Sequence, residues 1–281
     1  MKKHILNILI GLIFLAGLSV LLYPLVSDFF HGRGQDRVIS RYVENMETME
    51  TPDFEALRQE ALNYNASLEI GREPREVRDE ALDAYLGLMD ADGEAIGYLD
   101  IGKLKVSLPI YLGDSEEVLK VGAGTMPGTS LPIGGPGTHS VLTGHRGLPS
   151  SKLFSDLDEL REGDIFRIHI LDRELSYQVD QIRTVLPYEL EDLMIQEDRD
   201  FCTLVTCTPY GVNSHRLLVR GTRLDAPREE QKQPNQRVTS DAVQLSPAVM
   251  AAVAAVAVLV IVLVMILRRR RQNRPKFHFD E

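Results

Sequence analysis

The stretch Phe201-Cys-Thr-Leu-Val-Thr-Cys207-Thr-Pro-Tyr-Gly-Val-Asn-Ser-His-Arg216-Leu-Leu-Val-Arg-Gly-Thr-Arg223 constrains this chain more than any other. Thr203 to Thr206 is β-branched or apolar and reads as a buried strand ending at Cys207. Pro209, Gly211, Asn213 and Ser214 then break the ladder into a loop. Leu217 to Val219 restarts as a second strand. A strand–loop–strand of this length is a hairpin, so Arg216 is expected to return opposite Cys207. A thiol and a guanidinium would then meet at the mouth of a sheet. The thiol needs a third partner, a base or acid, to do chemistry. His145 is the candidate: it closes the short apolar strand of His139-Ser-Val-Leu-Thr-Gly-His145, between Gly144 and Gly147.

The run Thr-Leu-Val-Thr-Cys207, with Arg216 nine residues later and Thr-Gly-His145-Arg-Gly upstream, resembles the sortases. The longer strings from Thr143 to Phe154 and from Cys207 to Gly221 are similar to class C, the pilin polymerases. The resemblance spans roughly residues 96 to 224. It implies a mainly β fold, an eight-stranded sortase-type β-barrel preceded by N-terminal helices. It also implies a catalytic set of His145, Cys207 and Arg216.

Only two cysteines occur, Cys202 and Cys207. Five residues of strand separate them by roughly 17 Å, well beyond disulfide reach, so the fold has to rest on its core. Cys202, at the far end of the strand, is expected to be packing. Two runs have membrane-like composition. Ile5 to Val26, after Lys2 and Lys3, reads as an uncleaved signal anchor, with a cleaved signal as the alternative. Pro247 to Leu267 is followed by Arg268 to Arg271, Arg274 and Lys276. Both basic clusters lie on the chain-terminal side, so both termini are expected in the cytoplasm and the catalytic domain outside the cell membrane. Without the terminal charges the chain holds 23 basic against 39 acidic residues, a balance of about −16. That sign disfavours nucleic-acid binding.

The expected organisation is a cytoplasmic start (1–4), a transmembrane helix (5–26), a stalk with helices and a lid (27–95), and the catalytic barrel (96–224). A linker (225–246), a second transmembrane helix (247–267) and a basic cytoplasmic tail (268–281) follow. Residues 31–50 are polar without a clean period and read as stalk. Pro52, Phe54, Leu57, Ala61, Leu62 and Leu68 predict an amphipathic helix, and Val77 to Met89 a second one; both are expected to pack on the barrel. Strands are predicted over 98–101, 103–111, 140–143, 164–170, 175–179 and 182–185, besides the two around Cys207. A short helix is predicted over 153–160, and 122–137 reads as a Gly/Pro-rich connection.

Among the other histidines, His139 reads as structural, His169 as a solvent-facing strand residue, and His215 as pointing away from Arg216. Arg220 and Arg223 read as surface charge. A guanidinium stays protonated, so Arg216 cannot be a base, but it can donate hydrogen bonds to a developing oxyanion. Nucleotide-loop, His-Glu-x-x-His and Cys-x-x-Cys patterns are missing, so neither a cofactor nor a metal is expected. The resemblance further implies substrates with C-terminal sorting signals of the Leu-Pro-x-Thr-Gly type. A thioester on Cys207 would be resolved by a pilin lysine into an isopeptide bond. It also implies a lid whose acid meets the catalytic arginine and whose aromatic ring covers the thiol. Glu73-Pro74-Arg75 is the nearest match, with Arg75 in place of the ring, and Thr206 is a candidate substrate contact. The alternatives are a housekeeping sortase that anchors surface proteins to cell-wall peptide, and a non-catalytic surface assembly protein.

Overall fold

The computed structural model describes residues 2–74, 94–148 and 151–224. The chain divides into units 1–232 and 233–281; the second, with the expected span 247–267, lies outside the described residues. So do the predicted helix over 77–89 and Arg75.

Eight strands form the first unit's sheet: β1 (Gly97–Ile101), β2 (Val106–Tyr111), β3 (Ala123–Thr125), β4 (Thr138–Thr143), β5 (Ile165–Ile170), β6 (Arg173–Val185), β7 (Asp200–Thr208) and β8 (His215–Arg223). They close into a barrel in the order β1-β2-β3-β4-β7-β8-β6-β5. The pairs β2–β3 and β4–β7 are parallel and the rest antiparallel. The eight-stranded barrel preceded by helices is the expected fold. Alternation along each strand puts one set of side chains inside. Leu99, Ile110, Phe166, Ile168, Tyr177, Leu204 and Val219 belong to that single core, with Phe166 stacked on Tyr177 at 5.6 Å.

β7 is buried on both faces, the mark of a strand covered from outside as well as inside. Cys202 and Leu204 belong to the barrel core. Val205 belongs to a second cluster with Val141, Val185, Leu190, Leu193 and Leu218, on the outer face. The β6–β7 connection carries Leu190 and Leu193 over that face.

Three local readings need correction. β3 was expected as loop, yet Ala123 pairs with Ile110 and Gly124 with Thr143. The two strands predicted over 175–185 are one strand, β6, with a register shift between Val179 and Gln181 that absorbs Asp180. Residues 31–48 are no stalk; they continue the helix α1 (Lys2–Thr48). Its far end docks on the barrel, with Ile39 and Tyr42 buried. The Tyr42 hydroxyl accepts from Leu171 N at 2.7 Å, and Asp28 Oδ1 accepts from Lys152 N at 2.7 Å.

Helix α2 (Thr51–Ser67) packs as expected, but through a face shifted along from the predicted one. Ala61 and Tyr64 join the main core while Leu57 stays exposed. Asn65 fixes the register: its side chain donates to Leu131 O at 3.2 Å and accepts from Leu131 N at 2.7 Å.

Among the described residues no single helix is long and apolar enough to cross a membrane. Ile13–Tyr23 and Val26–Thr48, bent by 46°, meet the length and composition requirement only together. Pro24, which has no N–H to give the helical ladder, falls at the break.

Candidate active site

The β7–β8 ladder pairs Cys207 directly with Arg216. Residues opposite one another in an antiparallel pair share a face, so thiol and guanidinium stand side by side on the outer face. β4 supplies the third member. It runs parallel to β7 with Thr143 opposite Val205, and Gly144 N continues the ladder to Val205 O at 3.1 Å. Two residues further on each strand are His145 and Cys207. The three predicted residues line one cleft of about 590 Å³. Its apolar wall comes from the outer cluster, Val185, Leu190, Leu193, Val205 and Leu218, together with Met126.

Two close approaches hold the His145 turn. A Cβ on Gly144 would lie 2.7 Å from the Phe154 ring, so only glycine lets that ring pack on the backbone before His145. Gly147 has φ +79°, and a Cβ there would sit 3.1 Å from Tyr210 of the β7–β8 loop. Arg146 adds a polar tie. Its Nη1 donates to Thr208 Oγ1 at 3.2 Å and its Nη2 to Asp158 at 2.6 Å. The turn carrying His145 is thereby fastened to the strand end carrying Cys207.

Parity separates the two cysteines. Five residues apart, they point to opposite faces. Cys202 lies wholly in the core, where burial, reinforced by Asp200, raises its pKa well above the usual thiol range. That thiol stays protonated, consistent with packing. Cys207 is half-buried and opens on the cleft.

Arg216 Nη1 donates to its own loop, at 3.3 Å to Asn213 O and 3.1 Å to His215 O. The other two arginines of the strand are engaged elsewhere. Arg220 grips Asp180 through two bonds of 3.0 Å and lies 4.3 Å over the Phe201 ring. Arg223 lies 5.6 Å over Tyr177. His139 is structural, as expected. Its Nδ1 donates to Met194 O at 3.0 Å and its Nε2 accepts from the Thr203 hydroxyl at 2.7 Å. Burial pushes its pKa down to about 4, which keeps it neutral. His169 is largely covered rather than solvent-facing, because Tyr98 stacks on it at 4.2 Å.

The secondary candidates divide. Thr206 is 1 % exposed, and its hydroxyl donates to Gly144 O at 2.7 Å, so it braces the His145 turn from inside the barrel. Pro74 is buried and lines the cleft, and the backbone before it is pinned by Gly71 N donating to Ile195 O at 2.9 Å. Glu73 is half-buried, and among the described residues no ion pair joins it to Arg216. Three acids near the cleft were not foreseen, Glu189 of the β6–β7 connection among them. Asp114 lines the cleft, its pKa raised by burial. Glu116, at the start of α3 (Glu116–Val121), places Oε2 3.4 Å from His145 Nε2.

A thiol, an imidazole and a guanidinium around an apolar-walled cleft make an arrangement for acyl transfer through a cysteine. Comparison with known proteins points the same way. A model of the sortase domain matches residues 99–224. Sortase C1 of Streptococcus agalactiae is similar at 46% identity and a TM-score of 0.63, covering 68% of this chain and 99% of that one. Sortase C of Clostridium perfringens, solved with the C-terminal cell wall sorting motif, is similar at 42% identity and a TM-score of 0.59 over 67% and 98%. Sortase A of Bacillus anthracis is 26% identical over 78% of this chain and 95% of its own length. The chain belongs to the sortase family, cysteine transpeptidases, and its structural neighbours place it in class C.

Proposed function

We propose that the chain is a membrane-anchored class C sortase that joins pilin subunits, with Cys207, His145 and Arg216 as its catalytic residues. The observation that carries this is the register placing Cys207 opposite Arg216, with His145 on the neighbouring parallel strand. The Cys207 thiolate attacks the threonine carbonyl of a Leu-Pro-x-Thr-Gly-type signal, and Arg216 donates to the oxyanion. As the threonine–glycine bond breaks, His145 gives its proton to the departing glycine amine and a thioester remains. A pilin lysine amine then attacks the thioester carbonyl. His145 takes the proton, the thiolate leaves, and an isopeptide bond has formed. The apolar outer wall suits the leucine and proline of the signal, and a sorting motif bound to the Clostridium perfringens relative supports that substrate class.

Anchoring is supported by composition and exposure. Ile13, Phe14, Leu15, Val20 and Leu21 each leave about half or more of their surface uncovered on one helix, an exposed apolar surface of the kind that marks contact with lipid or protein. Lys2 and Lys3 precede it, which supports an N-terminus in the cytoplasm and a barrel outside. Pro74 in the cleft fits a lid.

Incubating the full chain with candidate pilins tests the polymerising reading. A high-mass ladder resistant to denaturant is expected, absent when the pilin's acceptor lysine is replaced by arginine. Signal cleavage with transfer only to cell-wall peptide would assign the chain to the housekeeping role instead.

A further inference from the structure

We propose that Glu116 is a positioning residue for His145, holding its Nε2 so that Nδ1 is the nitrogen that trades protons with substrate. The inference rests on the reading of His145 as the acid–base group. Nε2 is buried without a hydrogen-bond partner among the described residues. Buried polar atoms in folded proteins are overwhelmingly paired, so an orphan at a functional histidine calls for a partner. Glu116 Oε2 stands 3.4 Å away, about half an ångström beyond an ordinary hydrogen bond. The other carboxylate oxygen meets a cation: Oε1 lies 3.4 Å from Lys120 Nζ one turn along α3. Ser115 caps the helix start, its Oγ accepting from Val118 N at 3.4 Å.

Several charged groups surround the imidazole. Asp114, Glu116 and Lys120 belong to α3 and the turn before it, and Glu189 to the β6–β7 connection. Arg146 is occupied by Asp158, and Cys207 and Arg216 face the cleft from β7 and β8. Of these only Glu116 puts a carboxylate oxygen within 4 Å of a His145 ring nitrogen. When His145 gains a proton opposite the Cys207 thiolate, a small side-chain adjustment closes the 3.4 Å gap into a charge-assisted bond. Nε2–H is then committed to Glu116, and the proton delivered to the departing amine leaves from Nδ1.

The test is single-turnover acylation of the full chain in detergent by a Leu-Pro-x-Thr-Gly peptide, followed across peptide concentration. Wild type is compared with Glu116→Gln, Glu116→Asp and His145→Ala, each checked for an unchanged melting temperature. Glu116→Gln is expected to lower the acylation rate roughly two- to fivefold with KM unchanged. With the imidazole no longer held, the loss should fall on the rate of acylation and leave peptide binding untouched. Glu116→Asp should recover most of the lost rate. If His145→Ala is inactive while Glu116→Gln keeps the wild-type rate, Glu116 is a bystander and the reading of His145 stands. If His145→Ala acylates normally, that reading fails and the role of Glu116 fails with it.

Discussion

Replacing Thr206 by valine removes one hydroxyl and almost nothing else. The residue is 1 % exposed and its Oγ1 donates to Gly144 O at 2.7 Å. Valine keeps the β-branched shape that the strand and the core require. Gly144 is itself buried, so its carbonyl loses a donor in a place where water does not readily replace it. Stranding such a group costs about 1–3 kcal/mol. For a folded unit of this size each kcal/mol lowers the melting temperature by roughly 2–4 °C, so a fall of roughly 2–12 °C is expected in calorimetry. Function should suffer beyond stability, because the released carbonyl immediately precedes His145. Small displacements of a reacting group are expensive in rate, and acylation at a temperature where the variant is fully folded should drop by about tenfold or more. Thr206→Ser, which keeps the hydroxyl, should recover most of both. A valine variant that melts within about 1 °C of wild type and acylates at its rate would show that this bond holds nothing.

Arg216→Lys keeps the charge but loses the planar fork that can donate twice to one oxygen. Turnover should fall by at least about tenfold, roughly 1.4 kcal/mol of barrier; near-normal turnover in a folded variant would reduce Arg216 to a general positive field. His139 gives a pH dependence. Its pKa is depressed to about 4 by burial, so the unfolded chain binds the proton first. Its contribution is complete above the unfolded value near 6.5 and is lost as pH falls toward 4. By pH 5 that loss is about 2 kcal/mol. Urea midpoints at pH 7.5 and pH 5 should therefore differ more for wild type than for His139→Gln, and equal differences would contradict this assignment.

The grouping of Cys207, Arg216 and His145 was legible because two of its three members lie on one hairpin. Cys207 and Arg216 needed only the turn residues Pro209 to Ser214 to be placed opposite each other. His145 came from its glycine setting and the family likeness rather than from any pattern linking β4 to β7. The parallel pairing of those strands is long-range and leaves no local signature. Strand number came out at eight partly by compensation. Ala123-Gly-Thr125 is too short to alternate visibly inside a Gly/Pro-rich stretch, and Asp180 at a bulge divided β6 into two apparent strands. Residues 31–48 lacked a visible period because few side chains there, such as Ile39 and Tyr42, are buried on the barrel. Thr206 could have been placed by parity, since it alternates with Cys207 and shares a face with Cys202 and Leu204. Glu116 could not, because its approach to His145 depends on how the β2–β3 crossover packs.

The central claim is that acyl transfer runs through Cys207. It is tested most directly by quenching the full chain in acid shortly after mixing with a Leu-Pro-x-Thr-Gly peptide, then locating the adduct by peptide-mapping mass spectrometry. A hydroxylamine-labile acyl group on Cys207 is expected, absent in Cys207→Ala and undiminished in Cys202→Ala. An adduct on Cys202, or peptide cleavage that persists in Cys207→Ala, would contradict the account.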